Sequence, residues 1–444
     1  MSPSAVQADR MDLVGGKPLT GEVAIHGAKN SLPKLMVAAL LTGEPCRLRN
    51  VARIVDVAIV TDLIRALGGE VSSPEPGVLD ICAANLRPME RSVLKEFSGK
   101  SRIPILTCGP LLARLGEAPV PSLGGCRIGS RPVDFHIRAL QEMGAVLHDE
   151  AGDAHLRASR LSGNKIRLDY PSVGATEQVI LAAACADGVT ELSNAAIEPE
   201  IMDLIMVLQK MGATISVDID RRITILGKKD LRGFDHSAIP DRLEAASWAC
   251  AAIATNGRIF VRNARQVDMM TFLNKYRQIG GDFRAADDGI EFMRAQSGEG
   301  LRSTALETDV YPGFSTDYQQ PFVIALTQAA GVSIVHETVY EQRFGYVDAL
   351  NRMGAQIQLY RECLGPLPCR FGQRNHKHSA VIVGPTPLHG AVIEIPDLRA
   401  GFSYVIAALV AEGRSTLLNT RYVERGYENL TGKLRALGAE LAEG

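Results

Sequence analysis

The residues best placed to do chemistry cluster in one glycine-rich segment. In PSLGGCRIGSRPVD, Cys126 follows Gly124-Gly125, lies between Arg127 and Arg131, and comes just before a helix start. Flanking guanidinium groups and a helix N-terminus both lower a thiol pKa, so this is a setting for a reactive cysteine. Other polar sets open helices elsewhere: Lys29-Asn30, Arg102, Ser172-Val173-Gly174, Asp317 within YPGFSTDYQQ, and Asp397-Leu398-Arg399. Further polar residues fill the elbows, with Glu198 and Glu200 in one, Glu341 and Arg343 in another, and Arg425-Gly426-Tyr427 in a third. Taken singly, each reads as a cap or a surface ion pair. As a set in matching positions, they describe a site rich in Lys and Arg with one or two carboxylates, suited to a phosphate-bearing ligand.

The matching positions come from an internal repeat. Six times the chain runs through an apolar helix, a short β-rich segment, a polar elbow and a second helix that closes on glycine, at Gly68, Gly144, Gly212, Gly280, Gly354 and Gly438. The first helices include VGATEQVILAAACADG and PDRLEAASWACAAIATNG, with helix-period apolar residues and a glycine stop. The β-rich segments include CRLRNV, TELSNA, RIFVRNA, SIVHET and STLLNT. Each repeat reads as a βαβαβ-type unit, and the period is too long for a common solenoid. The last interval is the longest, with its excess around Arg361–His378. Trp248 lies on an apolar helix and reads as core.

Composition narrows the functional classes. The chain has 444 residues, 46% hydrophobic, with a formal net charge of −2, which gives no reason to expect nucleic acid or a membrane surface. No apolar run is long enough to span a bilayer, and the start MSPSAVQADRMDL has no secretion pattern. The scattered cysteines (46, 82, 108, 126, 185, 250, 363 and 369) read as reduced thiols of a cytoplasmic protein. A P-loop is excluded, because the glycine required before Gly99-Lys100-Ser101 is Leu94. The segment CLGPLPCRFGQRNHKH carries Cys363, Cys369, His376 and His378, but its spacing matches no usual zinc pattern and Pro366 and Pro368 mark a loop, so no metal is expected there.

The segments GGKPLTGEVAIHGAKNS, LGGCRIGSRPVDFH, YPSVGAT, NAAIEPEIMD, YPGFSTDYQQPF, PDLRAG and ERGYENLTGKLRALGA resemble the UDP-N-acetylglucosamine enolpyruvyl transferases over nearly the whole chain. The sister enolpyruvylshikimate-phosphate synthases share the fold but lack the cysteine loop. The resemblance implies an α/β fold, an inside-out α/β barrel of two domains with three repeats each and pseudo-threefold symmetry. The domains would be residues 29–239, and residues 1–28 plus 240–444, with the ligand cleft between them. It implies transfer of the enolpyruvyl group of phosphoenolpyruvate to the 3-hydroxyl of UDP-N-acetylglucosamine, the first committed step of peptidoglycan synthesis.

By the same resemblance, Cys126 would protonate the methylene carbon of phosphoenolpyruvate. Lys29, Arg131 and Arg425 would hold its phosphate and carboxylate, with Arg102 as an accessory cation. Asp317 would act as base toward the sugar hydroxyl and Asn30 would contact the sugar. Ser172, Val173 and Gly174 would bind the diphosphate. Pro132, Asp134 and Val339 would contact nucleotide and sugar, Asp397 would lie near the cysteine, and Arg399 would face the same cleft. The implied partners are the two small-molecule substrates, with no metal or organic cofactor. Two departures, Tyr170 where some members have lysine and Glu424 where aspartate is commoner, touch the acceptor side. The alternative is a paralogue acting on another uridine nucleotide, such as UMP in nucleoside-antibiotic biosynthesis.

Overall fold

A computed structural model describes residues 9–89, 91–97, 100–121, 133–150, 153–296, 300–367, 369–372, 374–396 and 398–442. The chain forms two compact units. Among the described residues, one holds 26–121 with 133–240 and the other holds 9–25 with 241–442.

In the second of these, the helices Arg242–Ala254, Thr316–Thr327 and Leu398–Val410 pack on one another. Arg242–Ala254 is buried at all thirteen positions and Thr316–Thr327 at all but Asp317. A helix without a polar face must be enclosed on every side. The enclosure is made of three four-stranded sheets. In the other unit the central helices are Leu32–Ala38, Cys108–Leu115 and Val173–Ala183, again surrounded by three sheets. Helices therefore lie inside and sheets outside, the inverse of an ordinary α/β barrel and the arrangement the family resemblance implies.

Most repeats add one strand to the expected pattern. In five of the six repeats the segment after the second helix is a hairpin rather than a single strand, as in Gly281–Ala286 with Gly289–Arg294 and Gln356–Tyr360 with Ser379–Gly384, while the sixth pairs Glu440–Leu441 with Arg10–Val14. Four sheets share one order: a parallel edge strand, the strand after the first helix, then the hairpin's outgoing and incoming strands; in a fifth, Arg10–Val14 and Glu440–Leu441 take the last two places. Three sheets complete themselves with distant chain. Thr20–Ala24 is the parallel edge beside Arg258–Arg262, and Asp235–Ser237 is the edge beside Cys46–Arg49. Arg10–Val14 pairs antiparallel with Arg414–Leu418.

All six closing glycines have positive φ, between 83° and 106°, the left-handed conformation that ends a helix most easily without a Cβ. Four asparagines mark a second repeat feature. Asn50, Asn194, Asn263 and Asn419 each follow the strand after a first helix, and each has φ near 60°. Their side-chain amides donate to the neighbouring edge segment: Asn50 to Ala238 O at 3.0 Å, Asn194 to Leu168 O at 2.8 Å, Asn263 to Ile25 O at 3.0 Å, and Asn419 to Glu394 Oε1 at 2.9 Å. The fifth repeat has Glu337 at this place.

Trp248 sits fully buried among the three central helices, edge-on to Phe402 at 4.9 Å, and its Nε1 donates to Glu244 Oε1 at 3.0 Å. The same carboxylate accepts from Lys433 at 2.6 Å. Trp248→Ala is expected to cost about 3–5 kcal/mol, the range for emptying a large aromatic site. A urea titration should show a lower midpoint with an unchanged slope; a midpoint like wild type would mean that the helix trio is not the core of its unit.

Candidate functional site

In the unit of residues 26–121 and 133–240 one buried carboxylate fixes the first helix opening. Asp203 accepts from the Ser31 hydroxyl, lies 2.7 Å from His236 Nε2 and accepts from Ile239 N at 3.3 Å. Ser31 is thereby tied down, and with it Lys29 and Asn30 immediately before it. Lys29 Nζ lies 3.0 Å from Asp56 Oδ2, at the first turn of Val55–Ala66. The Lys29 side chain keeps 24% of its surface exposed, whereas that of Asp56 keeps 4%. The ammonium is therefore oriented by its partner and still reaches solvent.

One turn further on, Lys34 donates to Asn30 O and lies 3.2 Å from Glu177 Oε1. Glu177 belongs to Val173–Ala183, the helix that Ser172 opens with its side chain accepting from Ala175 N at 3.4 Å. Lys29-Asn30 and Ser172-Val173-Gly174 are thus joined through one ion pair. Burial pushes the Glu177 carboxyl up, against the pull of Lys34. A Cβ on Gly174 would lie 3.1 Å from the His136 ring, so the chain passes close to it there. Free N–H groups at this opening, together with the lysines, suit an anionic ligand. Arg102 precedes the 3-10 turn Ile103–Thr107, and Asp134 is the exposed first residue of Asp134–Glu142.

In the other unit, Ser315 caps Thr316–Thr327 by accepting from Asp317 N at 3.3 Å. Asp317 pairs with Arg343 Nη2, which also donates to Thr316 O at 3.2 Å. The Arg343 side chain is 1% exposed and that of Asp317 20%. Val339 is held by Glu337, whose Oε1 accepts from Val339 N at 2.9 Å, Tyr340 N at 3.0 Å and Thr316 Oγ1 at 3.1 Å. Asp317 and Val339 are therefore brought together by Arg343 and Glu337. Arg425 ends the short helix Arg421–Glu424, and Arg399 lies in the first turn of Leu398–Val410.

Cys126, Arg131, Pro132 and Asp397, and the side chain of Arg399, lie outside the described residues. The described cysteines are all free. Burial pushes Cys46 and Cys185 up to about 11 and Cys108 up to about 12, which makes them poor nucleophiles. Sequence reasoning missed Asp56, Asp203 and Glu337 as positioning groups. Glu337 had a visible signal, because it stands where four other repeats have asparagine.

The chain matches the family described as EPSP synthase (3-phosphoshikimate 1-carboxyvinyltransferase) over residues 13–434. It belongs to the EPSP synthase family. It is similar to the UDP-N-acetylglucosamine 1-carboxyvinyltransferase of Protochlamydia amoebophila (strain UWE25), 49% identical over 98% of this chain and 94% of that protein. It is also similar to the enzyme of the same name from Granulibacter bethesdensis, 41% identical over 98% of this chain and 99% of that one. Among solved structures, the enolpyruvyl transferase NikO from Streptomyces tendae shares the fold, with a TM-score of 0.84 and 23% identity over 98% of both chains. EPSP synthase from Acinetobacter baumannii gives a TM-score of 0.73 at 17% identity, over 98% of this chain and 100% of that one. This member of the family is a carboxyvinyl transferase, and no described helix is long and apolar enough to cross a membrane.

Glu337 links the geometry to pH. Burial pushes its carboxyl up, although Arg343 and the N–H donors favour the charged form. A raised folded value means that the folded state holds this proton more tightly than the unfolded state. The resulting stability is fully present below the ordinary glutamate range and is lost as pH rises through the raised value. Glu337→Gln, which cannot ionise, should therefore gain on wild type as pH rises over that interval, measured by denaturant unfolding; parallel curves would contradict the assignment. Glu337→Ala leaves two N–H groups without their acceptor and should cost about 2–4 kcal/mol at any pH.

Proposed function

We propose that the protein transfers the enolpyruvyl group of phosphoenolpyruvate to the 3-hydroxyl of UDP-N-acetylglucosamine and releases phosphate. The observation that carries this reading is the 49% identity, over 98% of the chain, to a relative named for that reaction. The UMP alternative has less support, since relatives at 40–49% identity over nearly the whole chain carry the UDP-N-acetylglucosamine name.

The roles follow from charge and proton balance. The reaction exchanges phosphate for an alkoxide at C2 of phosphoenolpyruvate and leaves the methylene carbon unchanged overall. A proton added at that carbon must therefore be removed again after the C–O bond forms. Cys126 is the proposed donor, in a segment whose arginines favour thiolate once the proton has left. Asp317 takes the proton of the attacking hydroxyl, with its carboxylate aimed by Arg343 and the Ser315 cap. Lys29, Arg131 and Arg425, with Arg102, balance the phosphate and carboxylate charge as the phosphate leaves. Lys29 is well prepared for this, since Asp56 orients it without covering it. Ser172, Val173 and Gly174 offer N–H groups to the diphosphate, while Asn30, Pro132, Asp134 and Val339 contact sugar and nucleotide. Asp397 and Arg399 complete the set. Residues 29–239 would form one domain, and residues 1–28 with 240–444 the other. The product would feed peptidoglycan synthesis in the cytoplasm.

The deciding assay is phosphate release from phosphoenolpyruvate with UDP-N-acetylglucosamine or UMP as acceptor. Release with the UDP-sugar and not with UMP is expected; release with UMP alone would transfer the protein to the alternative. Asp317→Asn should lower kcat by about 100- to 10,000-fold, the usual span for a lost general base. Cys126→Ser should abolish turnover while leaving UDP-sugar binding intact, and an unchanged rate would remove Cys126 from the mechanism.

A further inference from the structure

The fifth repeat departs from the others in its hairpin. The strands Gln356–Tyr360 and Ser379–Gly384 are joined by a long insert, and the insert folds back over the end of the strand Gly331–His336. His336 pairs in register with Ser379, and Glu337 N donates to His378 O at 2.8 Å, so His336 and His378 meet at one end of the antiparallel pair. The insert brings Cys363 and Cys369 to the same point. One ligand atom from each of these four residues lies within 4.8 Å of all the others. The sequence expectation of a plain loop is corrected by this convergence, and the fourth member is His336, not His376.

The protonation pattern of the two histidines points the same way. His336 Nδ1 faces Glu307 Oε2 at 2.9 Å, and His378 Nδ1 faces the carbonyl of His376 at 2.8 Å. Each Nδ1 therefore carries a proton, so that in the neutral ring Nε2 is the nitrogen with the lone pair. His378 Nε2 faces Cys363 Sγ at 3.4 Å. His336 Nε2 is buried and has no hydrogen-bond partner, on a side chain with no exposed surface. A buried ring nitrogen without a partner, on a histidine that converges with two thiols and a second imidazole, is a ligand set rather than a hydrogen-bond network. Metal bonds of about 2.0–2.3 Å would place tetrahedral ligand atoms roughly 3.3–3.8 Å apart, and the Cys363–His378 separation already fits.

The surrounding chain is shaped to this cluster. Phe371 N donates to Cys369 Sγ at 3.3 Å, as an N–H does to a thiolate ligand. Glu307 also accepts from Leu367 N at 3.0 Å, so the carboxylate that orients His336 also anchors the insert. A Cβ on Gly365 would lie 2.3 Å from the Glu307 carboxylate and 2.7 Å from His336 Nδ1. Phe371 is buried beside the His378 ring.

We infer that Cys363, Cys369, His336 and His378 form a closed structural zinc site. Two soft thiolates and two imidazoles with no carboxylate ligand select Zn²⁺ over the hard cations, and four protein ligands leave no open position for catalysis. Binding releases one proton from each thiol, and the two thiolates neutralise the ion. The site would pin the insert against the Glu337–Val339 segment, where Arg370 also donates to Val339 O.

The test is metal analysis of the untagged full chain purified in reducing, chelator-free buffer, with metal-stripped protein reconstituted with zinc chloride as a second arm. One zinc per chain is expected. Cobalt substitution should give the thiolate charge-transfer band and the intense visible bands of a tetrahedral site, a readout that needs no variant. Cys363→Ser with Cys369→Ser should lose the zinc and the cobalt bands, and stripping the wild type should lower its thermal midpoint. Failure of the reduced, stripped wild type to take up zinc, or full zinc occupancy in the double variant, would overturn the assignment.

Discussion

The constraint on which this structure depends is that its central helices have no polar side. A helix such as Arg242–Ala254, buried at every position, cannot stop at the protein surface. It must be covered by other helices and by sheets, and the favourable burial of its side chains is what assembles each unit. The sheets then take the outside, with alternating buried and exposed positions such as those of Arg258–Arg262. The chain spends strands from far away to finish this covering, including Thr20–Ala24, Asp235–Ser237 and Arg10–Val14.

The same constraint decides where chemistry can occur. A helix that is apolar all round can present polar groups only at its ends. The proposed site residues accordingly lie at openings: Lys29 and Asn30 before Leu32–Ala38, Ser172 at Val173–Ala183, Asp317 at Thr316–Thr327 and Arg399 at Leu398–Val410. Buried carboxyl groups then hold these openings in place. Asp203 ties down Ser31, and Glu337 ties Val339 and Tyr340 to Thr316. Each carboxyl group is held by several donors, which is the condition for a buried polar group to order a segment rather than weaken it.

What could be read in the sequence was what repeats or acts locally. The closing glycines announced helix ends, and all six adopt positive φ. The apolar helices and the openings beside Lys29, Ser172 and Asp317 were legible from period and capping residues. The hairpin after the second helix was not, because a short second strand carries too little pattern of its own. Partnerships across the chain were also hidden. Nothing near Lys29 names Asp56, and nothing near Cys363 names His336. The asparagines after the strands were present in the quoted segments, and Glu337 stood out against them, but their left-handed role appears only in the folded chain.

The central claim is that ligands of this protein are met at the openings of helices whose bodies are inaccessible. Hydrogen–deuterium exchange with and without UDP-N-acetylglucosamine tests it most directly. The account predicts new protection at residues 29–31, 172–175 and 315–318 and at the Val339 segment, with the buried helix bodies slow to exchange in both states. Protection confined to the outer sheet faces, with those openings unchanged, would contradict it.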